Sequence, residues 1–347
     1  MSKFIILFFL LFNFFYSNAQ IKELQKLYSK GEFDLVIQKG RSMVLNEETE
    51  LGINLLIGRA YADKKKFGDA IPYLERANSI KSIKNESKTW VLAYLGVCYF
   101  TFDEIEKAHQ LIQQSIDLHG SRKVTKFAQR YRYLFQNTSF YSDWEVESSE
   151  HFRFHLQNSK IAGNLNIYMA KQEVLYKRLT TFFEYKLTKK IDIYIWADKY
   201  EAYRKLKRPL NYSNTDLCII NVSDDENMDF ELCHLFVNKI IKPKKRSMLL
   251  NEGLAVYINN MDKNLFLLAR KSIPKKKFNV LELWEEPTRY ERNLSYPVGG
   301  ALIEFLINKG GKAKLQKFLE EQTIENAEAI YPNFDQWMKT FEAMLMR

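Results

Sequence analysis

Cysteine is scarce. Cys98, Cys218 and Cys233 are the three in 347 residues, odd in number and widely spaced, which excludes a disulfide framework. Three buried thiols are the expected state, with one bond, Cys218 to Cys233, left open. After Tyr16 no stretch approaches the roughly 18 uninterrupted apolar residues of a membrane span, so stable membrane insertion of the mature chain is not expected. No G-x-S-x-G elbow is present, and "NKGGKAKL" from Asn308 lacks the spacing and the Ser or Thr of a phosphate loop.

Positive charge is in excess, at a formal +10. The clusters Lys64 to Lys66, Lys242 to Arg246 and Lys275 to Lys277 are scattered and lack interleaved aromatics. They read as solvated loops, and no nucleic-acid partner is expected. Apolar content of 46% with 14% aromatics is ample for packed cores, and the length suits two domains.

The start, "MSKFIILFFLLFNFFYSNAQ", has one Lys, an apolar run from Phe4 to Tyr16, and small residues Ser17 and Ala19 before Gln20. That is the pattern of a signal peptide over 1–19, and it predicts an exported protein, periplasmic or secreted. No cysteine follows the run to carry a lipid anchor.

From Ile21 to about Gln136 apolar residues recur at three and four spacing, broken by short polar or glycine-bearing segments. "LYSKGEFDLVIQKG", "LIGRAYADKKKFGDAIPYLERA" and "YLGVCYFTFDEIEKAHQLIQQSI" resemble one another. Phe33 and Phe67 lie 34 apart, while Tyr61 to Tyr99 and Ala70 to Ala108 are each 38 apart. A period in the thirties predicts stacked helical hairpins. Gly58 with Ala70 and Gly96 with Ala108 supply the small residues a close helix crossing needs, and Tyr61 and Tyr99 fill the gap between hairpins. On these residues the segment resembles tetratricopeptide repeats, in about three units over 20–137. Gly31 and Gly68 sit at different points of the turn. The resemblance implies a concave surface for a protein or peptide partner and no chemistry.

Near Tyr141 the pattern changes. "WEVESSEHFRFHL", Trp144 to Leu156, alternates like a strand. It predicts a second domain over 144–347: a helix at about 161–185, strands "KIDIYIWA" and "DLCIINV" around a short helix at 200–206, then helices almost to the end. Strands first and helices second imply an α+β domain.

The stretch "DFELCHLFVNK" carries Glu231 and His234 at the spacing of a HExxH zinc site, but with Phe230 where the first histidine belongs. Seventeen residues separate His234 from Glu252, which stands in "LLNEGLAVYI". With Asn251, Gly253, Leu254 and Ala255 this resembles the gluzincin metallopeptidases, whose second helix supplies a glutamate as third zinc ligand. The expected fold is therefore a TPR-like helical repeat followed by an α+β gluzincin-like domain. The resemblance implies His234 and Glu252 as metal residues, Glu231 as general base, and Tyr296 in "YPVGGALIEFL" as an oxyanion stabiliser. With Phe230 in place, one histidine and one carboxylate remain, so tight zinc is not expected. His151, His155, Asp229 and Cys233 are the candidates for a substitute ligand. The expectation is a pseudo-peptidase binding a protein or peptide, with no cofactor. The alternative is an active zinc metallopeptidase with an unconventional ligand, and a purely structural second domain is the third reading.

Overall fold

The computed structural model describes residues 20–43, 49–80, 85–158, 165–224, 229–273, 279–286 and 289–346. The expected signal peptide lies outside them. The chain divides into two compact units, Met1–Asp143 and Trp144–Arg347. All three cysteines are buried and free, so the Cys218–Cys233 bond left open by the sequence does not form.

The first unit is helical: α1 (20–29), α2 (Phe33–Ser42), α3 (Glu50–Asp63), α4 (Phe67–Ser79), α5 (Asn85–Thr101), α6 (Ile105–Asp117) and α7 (Arg122–Leu134). The hairpins α3–α4 and α5–α6 close on the same small residues. A Cβ at Gly58 would lie 2.6 Å from Leu74 and 3.3 Å from the Ala70 carbonyl, and one at Gly96 2.8 Å from Ile112 and 3.1 Å from the Ala108 carbonyl. Ala70 and Ala108 are themselves fully buried. Tyr61 stacks on Tyr73 at 5.7 Å, and the Tyr99 hydroxyl donates to Glu75 of the preceding hairpin.

The hairpin turns share a backbone rather than a residue. Gly31, Lys65 and Asp103 all adopt the left-handed conformation, at φ 77°, 63° and 68°, each two residues before the first residue of α2, α4 or α6. In each, the following N–H reaches back five residues: Glu32 to Leu27, Lys66 to Tyr61, Glu104 to Tyr99. This is the Schellman end of a helix, which satisfies carbonyls the helix leaves open. It occurs a fourth time after α7, where Gln136 is left-handed and Asn137 N–H reaches Arg132. Gly68, by contrast, lies inside α4.

The second unit opens with a hairpin where one strand was expected: β1 (Glu145–Ser148) and β2 (Phe152–Leu156) pair antiparallel. Then follow α8 (Leu165–Phe183), β3 (Ile191–Trp196), α9 (Lys199–Leu206), β4 (Tyr212–Asn214) and β5 (Ile219–Ser223). The sheet order is β1-β2-β3-β5-β4. β2, β3 and β5 run parallel while β1 and β4 are antiparallel edges. The helix expected between the first strands, α8, and the short one after β3, α9, are crossovers, and the sheet is mixed. β3 is central and buried throughout. Ile191, Ile193 and Ile195 enter the main core, while Asp192, Tyr194 and Trp196 alternate to the other face.

The remaining helices are α10 (Asp229–Ile240), α11 (Met248–Asn259), α12 (Leu265–Ser272), α13 (Val280–Glu285), α14 (Arg292–Gly310), α15 (Lys312–Phe318), α16 (Ile324–Ile330) and α17 (Phe334–Leu345). α11 and α14 cross at backbone contact. A Cβ on Gly253 would fall 2.4 Å from the Gly299 carbonyl carbon, and one on Gly299 2.4 Å from the Leu249 oxygen. Among the described residues no helix is long and apolar enough to cross a membrane.

Candidate functional site

Asp229 fixes the start of α10. Buried, it accepts from Lys171 Nζ at 2.6 Å and Gln172 Nε2 at 2.9 Å, both on α8, and an acid in a helix's first turn is favoured by the helix dipole. Leu232, Cys233, Leu235 and Phe236 turn into the core. With that face buried, helical geometry sends Phe230, Glu231 and His234 the other way. They line a cleft of about 840 Å³ together with Glu252 of α11 and Tyr296 of α14. The Gly253–Gly299 crossing brings α11 and α14 close enough for those last two to share it.

His234 Nε2 lies 3.4 Å from Glu252 Oε1, and both side chains remain about one-fifth exposed, so the pair is reached from the cleft. Burial pulls the His234 pKa down. The hydrogen bond and charge of Glu252, helped by Glu231, outweigh it, and the net direction is up. Phe230 packs on Tyr296, with ring centroids 5.6 Å apart at 34°. Burial and the Glu252 charge raise the Tyr296 pKa, so its hydroxyl stays protonated and able to donate.

The residues present do not fit a zinc site. Two donors, His234 and Glu252, meet, and the phenylalanine beside them offers no lone pair. The four candidate substitutes are all engaged elsewhere. Asp229 is held by α8. Cys233 is fully buried in the core, its thiol pKa pushed up by burial. His155 Nε2 lies 3.0 Å from Asp192 on the sheet. His151 Nδ1 lies 2.6 Å from Glu173 and stacks on Tyr176.

His151 does belong to a trio, with Glu150 and Glu173, whose ligand atoms lie within 4.8 Å of one another. There Glu173 also accepts from Ser149 Oγ at 2.6 Å and the His151 N–H at 2.8 Å. Its carboxylate ties the β1–β2 turn to α8.

Two cleft features escaped the sequence reading: Lys199 and Tyr203 of α9 form one side, and Arg292 of α14 another. The α9 signal was present in "KYEAYRKLKR", where five cations keep company with two tyrosines. Neither a protein-family model nor a curated protein matches the chain.

Proposed function

We propose that the protein is an exported pseudo-peptidase that binds a peptide or a segment of another protein in the α10–α11–α14 cleft, with its TPR-like repeats as a second binding surface. The observation that carries this reading is the Phe230–Tyr296 contact. An apolar ring stands at the position from which a HExxH helix would present its first metal nitrogen, and it packs on the tyrosine that would assist the chemistry. Glu252, the carboxylate a metal would take, has His234 as its partner instead.

The test is metal analysis of the purified parent and of Phe230→His. The parent is expected to carry no stoichiometric zinc. The variant regains two histidines one turn apart facing Glu252, and is expected to gain zinc together with zinc-dependent thermal stability, since a ligand that binds the folded state alone raises stability by mass action. Stoichiometric zinc in the parent would instead establish the active metallopeptidase.

A further inference from the structure

α9 and the segment after it, which give the cleft Lys199, Tyr203, Pro209, Leu210 and Asn211, read "KYEAYRKLKRPLNY". These fourteen residues, Lys199 to Tyr212, hold five cations (Lys199, Arg204, Lys205, Lys207 and Arg208) and one acid, Glu201. That acid is already engaged: its carboxylate accepts from Gln157 Nε2 at 2.6 Å and lies 3.8 Å from Arg204. The inward face of α9, Ala202 and Leu206, is buried in its own domain. Outward, Tyr200 and Tyr203 are 72% and 54% exposed, unusually open for aromatic rings in a helix that has a core to join. Across the cleft stands Arg292. Cations beside a cleft steer acidic ligands toward it, and exposed tyrosines supply rigid, amphipathic contact surface.

We infer that the cleft's partner is an acidic polypeptide segment, extended through the cleft and out over α9, with its carboxylates on Lys199 and Arg292 in the cleft and on the exposed cations beside it. The inference rests on the peptide-binding reading above and narrows its ligand. A bilayer fits less well, because a membrane-docking helix needs a free apolar face, and the apolar face of α9 is spent in the core. A nucleic-acid strand fits less well too. Its unbroken phosphates would meet Glu231 and Glu252 on the cleft floor, whereas a peptide can set neutral residues there. Base stacking would also compete with the arginines lying over the rings, Arg208 at 4.0 Å from Tyr212 and Arg204 at 5.7 Å from Tyr200.

The experiment measures fluorescence anisotropy of the full chain with a labelled peptide of alternating Glu and Ala and with its Gln–Ala counterpart. A labelled single-stranded oligonucleotide and phosphatidylglycerol vesicles serve as rival polyanions. The acidic peptide is expected to bind about tenfold more tightly than the neutral one at low salt, a gap that closes as ionic strength rises. Charge reversal at three exposed positions outside the cleft lining, Arg204→Glu, Lys207→Glu and Arg208→Glu, removes the gap. The salt dependence of the parent reads the same quantity should the triple variant misfold. Equal binding of the two peptides overturns the acidic preference and leaves the peptide-binding reading standing. Binding of neither peptide overturns both. Tighter binding of the oligonucleotide or the vesicles, lost on charge reversal, assigns these cations to that polyanion and overturns the inference.

Discussion

Single residues decide what this cleft is. Phe230 is half-buried against Tyr296, and full burial of such a side chain stabilises by roughly 1.5–3 kcal/mol. Metal-free Phe230→His is therefore expected to lose about 1–2 kcal/mol, read as a lower unfolding midpoint that added zinc restores. A second residue of consequence is Asp192 on β3. Buried, it meets Arg153 at 2.7 Å, Lys189 at 2.9 Å and His155 at 3.0 Å. Burial alone would raise its pKa, but Lys189, His155 and Arg153 together hold it well below the usual carboxylate range. A folded pKa below the unfolded one means stability that is present above the ordinary carboxylate pKa and lost as pH falls below it. Asp192→Asn strands Lys189 and Arg153 without their counter-charge and is expected to cost about 3–5 kcal/mol at neutral pH. The gap between parent and variant narrows in acid, and urea unfolding across pH measures it. The sequence showed where His234, Glu231, Glu252 and Tyr296 stand in the chain. Their meeting in one cleft depends on contacts between residues far apart in it, and Asp192 offered no hint because a carboxylate in "KIDIYIWA" looks like an exposed strand position.

At the scale of elements, the α11–α14 crossing positions Glu252 and Tyr296, and it tolerates no side chain at its centre. Gly253→Ala would set a methyl 2.4 Å from Gly299 backbone, which cannot swing aside as a side-chain tip does. Overpacking ordinarily costs about 1–3 kcal/mol, and the upper end or beyond is expected here, with the His234–Glu252 geometry disturbed. Circular dichroism melting of the variant checks it, and a loss under 1 kcal/mol would mean the helices separate easily. Elements were legible where side chains carry the signal. Gly58, Gly96, Ala70 and Ala108 stood at a fixed interval because small residues alone fit those crossings. The turns were not legible, since Lys65 and Asp103 hold by backbone geometry the place Gly31 holds by composition. The β1–β2 hairpin was read as one strand because Ser149 to His151 contains no glycine or proline. β4 is three residues long, too short for a period to show.

At the scale of the molecule, each unit has its own core: Leu24, Val36, Ile53 and Ile57 belong to one, and the β3 isoleucines with Leu250, Leu302 and Phe341 to the other. The fragment Trp144–Arg347, expressed alone, is therefore expected to unfold in one cooperative transition. Aggregation of that fragment, cured by adding residues 20–141, would show that the division lies elsewhere.

The recurring left-handed helix ends have a further consequence for the order in which the chain takes shape during synthesis. Every hairpin of the first unit closes on residues at most a few dozen positions apart, so each can form as soon as its second helix has emerged. Nothing later in the chain is needed, and low sequence separation makes such closure fast. The second unit has no such freedom. Its one core joins Phe152 near the start of the unit to Phe341 and Leu345 near its end, so its strands and apolar helices stay open until nearly the whole chain is made. The repeats are already folded while the cleft is still unbuilt, and the time of greatest risk from aggregation or proteolysis falls on the domain that carries Phe230.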